Sequence, residues 1–242
     1  MKKTILVLVL GLIFVAGSVF AAEISSFDGW VTDGWTMIAD DDGIVGPGGG
    51  GQAFDAEYLF YKIDGNNLSI GLQTGFNLSD GHQGSHGDGI AYYAGDLALS
   101  FDDSVVLGNA STYEYAFDFG FYTEDYAGTS LGTHGAGLYS VAPANWNTGV
   151  YAGHTSSNPF AMTTGSLVSS ASTNDVYFDG SSYYRMVSFD LGSIENLGLD
   201  VHWTMSCGND AIDGSAPVPE PATLILLGSG LAGLAFYRRK RK

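Results

Sequence analysis

Several groups of side chains in this sequence have types and spacings suited to chemistry. Gly128-Thr129-Ser130-Leu131-Gly132 fits G-x-S-x-G, the nucleophile elbow that lifts a serine hydroxyl on a turn between a strand and a helix. Its flanks, TEDYAG and THGAGLY, read as loop, which favours a glycine-rich turn, and no catalytic residue is assigned. His82 and His86 share a Gly/Ser loop with Asp80 and Asp88, a set able to hold a transition metal. Spacing fixes no third ligand there, so no metal residue is assigned either. Asp40-Asp41-Asp42 offers hard oxygen ligands of the kind calcium takes, but the D-x-[DN]-x-[DN]-G loop is missing. Calcium is left open, without a ligand set, and no other cofactor is implied. Trp30, Trp35 and Trp146 are candidate glycan contacts, since an aromatic face suits the apolar face of a sugar ring. The competing account places them as caps on a hydrophobic core. Cys207 is the one cysteine, which excludes an internal disulfide, and its place at the end of an alternating segment favours a buried structural thiol.

The elements that must position these groups read as strands. The chain holds 14 Tyr, 14 Phe and 35 Gly, and no long stretch repeats every 3.6 residues. Period two recurs instead. AEYLFYKI (56–63) leads through Asp64-Gly65-Asn66-Asn67 into LSIGLQTGF, a hairpin pattern. DLALSFD alternates over 96–102, and YEYAFDFGFY puts Tyr113, Tyr115, Phe117, Phe119 and Phe121 on one face. YYRMVSFDL (183–191) and LGLDVHWTMSC (197–207) repeat the pattern, the latter with Asp200, His202, Thr204 and Ser206 on an expected wet face. The fold class is therefore all-β: an antiparallel β-sandwich, jelly-roll-like, with long polar loops at 39–53, 79–89 and 142–175, the first expected to be flexible. About 195 residues suffice for its core without disulfides.

Charge separates the body from the ends. Of nine Lys and Arg, only Lys62 and Arg185 lie outside the termini, against 26 Asp and Glu that all fall between Glu23 and Glu220. A body so acidic has no basic patch to displace counterions from phosphate, which excludes nucleic acid as a partner. Lys2-Lys3 followed by the apolar run Ile5–Val15 and small residues at Val19 and Ala21 has the layout of a signal peptide, residues 1–21, cleaved after Ala21. The β-sandwich domain then spans 22–211, a linker 212–218 and a terminal unit 219–242. That unit consists of Pro219-Glu220-Pro221, a 16-residue apolar stretch from Ala222 to Tyr237, and the basic cluster Arg238, Arg239, Lys240, Arg241 and Lys242. As a helix the stretch measures about 24 Å, a short membrane span that the basic cluster would stop in the inner membrane. Two prolines hold the segment just outside it extended and open to processing.

The three parts in this order resemble the PEP-CTERM sorting signal of Gram-negative bacteria. The resemblance implies recognition by an exosortase, transient anchoring in the inner membrane, an exopolysaccharide-producing host, and a destination at the cell surface or in the extracellular matrix. HWTMSCGNDAI (202–212) just before the tail is similar to a group of uncharacterised exosortase-dependent surface proteins. The strand pattern over about 150 residues resembles family 9 carbohydrate-binding modules and DOMON-like sandwiches, which implies glycan binding as an alternative. The leading expectation is thus a non-enzymatic surface or matrix protein, with exopolysaccharide as a candidate partner. A hydrolase ranks third, because no acid–base pair or activated nucleophile is placed.

Overall fold

Alternating sequence becomes paired strands in a computed structural model that describes residues 24–83, 90–102, 104–194 and 198–217. The strands of the main sheets are β1 (Thr36–Asp40), β2 (Ala56–Asp64), β3 (Asn67–Thr74), β4 (Leu97–Ser100), β5 (Tyr115–Asp118), β6 (Gly137–Ser140), β7 (Ser166–Ser170), β8 (Ser172–Thr173), β9 (Tyr177–Phe178), β10 (Tyr183–Asp190), β11 (Leu199–Thr204) and β12 (Ala211–Ala216). The first six-stranded sheet runs β1-β2-β3-β10-β8, with β9 also paired to β10; the second runs β7-β6-β5-β4-β11-β12. All pairings in both are antiparallel. The β2–β3 hairpin forms as its sequence indicates: Asp64 faces Asn67 across Gly65-Asn66, and Gly65 supplies the positive φ of 61° that the turn needs.

The sheets face each other across one apolar layer. Leu59, Leu68, Ile70, Leu72, Val187 and Phe189 from the first meet Leu97, Leu99, Phe117, Leu138, Val201 and Trp203 from the second. This is the sandwich expected from period two, and burying such side chains supplies its main driving force. At one edge Gly214 of β12 comes within 3.0 Å, at its would-be Cβ, of Ile38 in β1, so the two sheets close on each other there. Residues 212–216 were expected to be linker. They are instead a strand, with Ile212 and Ala216 buried.

The outer faces depart most from the sequence reading. In β11, Asp200, His202 and Thr204, with Ser206 just beyond, are buried rather than wet. The segment following β6 crosses over His202, whose Nε2 meets the Ser157 carbonyl at 3.1 Å while Nδ1 meets Asp213 Oδ1 of β12 at 2.8 Å; Asp200 accepts from Ser215, and Ser206 bonds Tyr93. Tyr113, just before β5, packs with Ala98, Ala116, Tyr139 and Trp146 on the outside of the second sheet, whereas Phe117 and Phe119 point into the sandwich. On the first sheet, a short helix, α1 (Phe27–Thr32), covers Phe60, Tyr184 and Met186 with Trp30 and Trp35. Gly71 in β3 makes room for it: a Cβ there would lie 2.4 Å from the Trp30 ring.

Candidate functional site

The carboxylates gather at the end of the β1–β2 pair. Asp41, directly after β1, donates its amide to the Glu57 carbonyl at 2.9 Å, and Asp42 follows it into the loop. β2 pairs Ala56 with Thr74 and Tyr58 with Gln73, so Glu57 is the extra residue of a β-bulge. Bulges turn a side chain out of the alternating pattern. Glu57 lies beside Asp55 rather than on a solvated strand face: Asp55 and Glu57 are each 2% exposed. One carboxylate oxygen from each of Asp42, Asp55 and Glu57 lies within 4.8 Å of the other two.

Donors hold this cluster unevenly. Glu57 Oε1 accepts from Gln52 Nε2 and from Ser182 Oγ, and its Oε2 accepts from Gln73 Nε2 at 2.7 Å. Gln52 reaches it because Gly75 has no side chain; a Cβ at Gly75 would lie 1.7 Å from the Gln52 carbonyl oxygen. Asp55 Oδ2 accepts the Gly43 amide at 2.9 Å, but Oδ1 has no donor. Asp42 Oδ2 accepts from the Tyr58 hydroxyl at 3.0 Å. Burial pushes both Asp55 and Glu57 above the usual carboxylate range, with the Asp42 charge adding to the rise. It also pushes Tyr58 up to about 12, helped by its bond to Asp42. Close by, Asp210 ties the loop down: it accepts the amides of Gly46, Ala211 and Ala56 at 3.1, 3.0 and 2.7 Å. With Gly48 N on the Asn209 carbonyl, these bonds anchor the stretch expected to be flexible.

The residues singled out in the sequence fall differently. Trp30, Trp35 and Trp146 are 0%, 6% and 6% exposed, so none offers a ring face to a sugar, and the glycan-contact assignment is corrected. Trp30 stacks on Phe60 at 4.7 Å and donates Nε1 to Gln73; Trp146 donates to the Tyr113 carbonyl. Ser130 lies in a small ribbon, Ser130–Gly132 against Thr123–Glu124, not between a strand and a helix. His82 packs edge-on against Phe54, while His86 and Asp88 lie outside the described residues. Of the Asp40-Asp41-Asp42 run, only Asp42 joins the cluster. Asp55 and Glu57 were missed. Their i, i+2 spacing in FDAEYLF was the available signal, but which loop they would face is a tertiary matter. Cys207 is a buried thiol, pushed up to about 12 by burial. Ala21, Pro219, Glu220, Pro221 and Arg238 to Lys242 lie outside the described residues, and among those described no helix is long and apolar enough to cross a membrane.

A second feature is an open groove of about 470 Å³ on the second sheet, bordered by Glu114, Ser140, Asn145, Thr164 and Ser166. Its lining is more polar than apolar: Tyr115, Val141 and Ala142 line it as well, and the Tyr115 ring packs edge-on against Phe101. Burial raises the Glu114 carboxyl above its ordinary value.

Comparison with known proteins identifies the terminal segment. Residues 217–242 match the family model of the PEP-CTERM protein-sorting motif. Neither the curated proteins nor the solved structures contain a match to the chain. The motif supports an exosortase-sorted surface protein that is exported and held only transiently in the membrane.

Proposed function

We propose that this chain is a non-enzymatic surface or extracellular-matrix protein of an exopolysaccharide-producing Gram-negative bacterium. In this reading the tail is an address and a temporary anchor, and the sandwich is the cargo that remains outside. The observation that carries it is the sorting motif over residues 217–242. The acidic body supports it as well, because a chain body with Lys62 and Arg185 as its basic side chains against 26 acidic residues keeps a negative net charge that favours solubility and hydration among neutral or cation-bridged polysaccharide. The test replaces Pro219, Glu220 and Pro221 together by alanine in the native host. The variant is expected in the inner-membrane fraction with its tail, and the parent outside it; equal partition of the two would overturn the proposal.

The polar groove favours a second reading, binding of a hydroxyl-rich glycan by Glu114 and Asn145 rather than by tryptophan. Retention of the protein on the host's own polysaccharide, lost in Asn145→Ala and kept in Trp30→Phe, is the outcome that supports it. No retention on any polysaccharide removes it.

A further inference from the structure

Three carboxylates packed this closely need positive charge, and none of the described side chains supplies it. The histidine–carboxylate contacts among the described residues, His134–Asp118 and His202–Asp213, involve none of the three. Lys62 Nζ donates to the Asp33 carbonyl, and the Arg185 guanidinium to the carbonyls of Asn174 and Phe119. Asp55 is 2% exposed, yet its Oδ1 meets no donor at all. A buried carboxylate oxygen without a partner is costly, and a metal ion is one of the few groups able to satisfy it. We infer that Asp42, Asp55 and Glu57 form a calcium site that fastens the 41–55 loop to the start of β2.

The chemistry of the donors selects the ion. All three are hard carboxylate oxygens, with no imidazole or thiolate in the group, which suits calcium or magnesium rather than zinc. Oxygens within 4.8 Å of one another can share one ion bound at about 2.3–2.6 Å, and calcium accepts an irregular shell completed by water. Magnesium demands near-ideal octahedral placement, which a set anchored by Gln52, Gln73, Ser182 and Gly43 cannot readily adjust to provide. Asp42 is exposed and supplies the entry side, while the two buried carboxylates form the floor. The ion binds and releases without any bond being made or broken in the protein.

The test uses the full chain in detergent, stripped with EGTA, at pH 8 and fixed ionic strength, titrated with calcium chloride or magnesium chloride by calorimetry while melting is followed in parallel. One calcium per chain is expected, with half-saturation between about 10⁻⁴ and 10⁻³ M, the range of extracellular modules, and a melting temperature that climbs with calcium. Asp42→Asn, at an exposed position, should weaken binding by about tenfold or more through loss of one ligand charge. Asp55→Asn should abolish it while melting no lower than the parent in EGTA, since it removes a buried charge. Asp28→Asn, which removes an acid on α1 outside the cluster, should alter nothing. Absence of binding heat and of a melting shift in the parent overturns the site, and is the result expected if a proton shared among the carboxyls satisfies the cluster instead. Binding that survives both Asp42→Asn and Asp55→Asn places the ion elsewhere, and equal responses to magnesium and calcium overturn the choice of ion.

Discussion

At the scale of single residues, this protein is shaped by acids it has buried. Burial pushes Asp210 up to about 7 against the pull of three amide donors, and likewise raises Asp41, Asp55, Glu57, Asp96, Glu114 and Asp118. In the unfolded chain such carboxyls titrate near about 4. Between that value and the folded one, the native state keeps protons that the unfolded chain has released. Stability therefore falls as pH rises, for Asp210 across a window from about 4 to about 7. Asp102 and Asp179, which hydrogen bonds lower, act in the opposite sense and only at more acid pH. In EGTA, the melting temperature should be higher at pH 5 than at pH 8 by roughly 3–8 °C. Calorimetric scans at the two values check this, and a higher value at pH 8 would contradict it. Asp210→Ala should cost about 3–5 kcal/mol in denaturant unfolding, because the amides of Gly46, Ala56 and Ala211 lose their shared acceptor. A loss below 1 kcal/mol would mean that the loop does not depend on it.

At the scale of elements, the alternating segments announced the strands, and the β2–β3 hairpin was legible down to its turn. What lies over the sheets was not. Asp200, His202 and Thr204 are polar at every second position of β11, which period two alone assigns to water. All three are buried, His202 under the segment between β6 and β7 and Asp200 against Ser215, and nothing local in the sequence of β11 marks that they will be. α1 was invisible for a related reason: six residues are too few to show a helical period, and the helix depends on Trp30 packing over β3. That dependence can be measured. Trp30→Ala should cost about 3–5 kcal/mol, the usual loss for a fully buried large aromatic. Gly71→Ala should cost about 1–3 kcal/mol alone, since its methyl group meets the Trp30 ring, and close to nothing in the Trp30→Ala background. Additive losses would show that α1 is held by something other than this contact. The acidic cluster was half legible. The triad Asp40-Asp41-Asp42 drew notice for its composition, but the bulge at Glu57 and the return of Asp55 decide which oxygens meet.

At the scale of the whole molecule, the fold and the sorting tail abut. β12 ends at Ala216, three residues before Pro219, a reach of about 11 Å at full extension. The expected seven-residue tether is thus mostly strand. The sequence was most informative here, because an address must be read by another protein from a short linear segment and so stays legible without tertiary structure. The body carries no such label, and its chemistry emerges only from contacts between distant segments. The central claim, that an exosortase removes the tail from this sandwich, is tested most directly by the intact mass of the protein from its native host with and without the exosortase gene. The account predicts a parent mass lacking both the leader and the apolar, basic end, and a mass that retains Arg238 to Lys242 when the enzyme is missing. A tail retained in both strains, or removed in both, would contradict it.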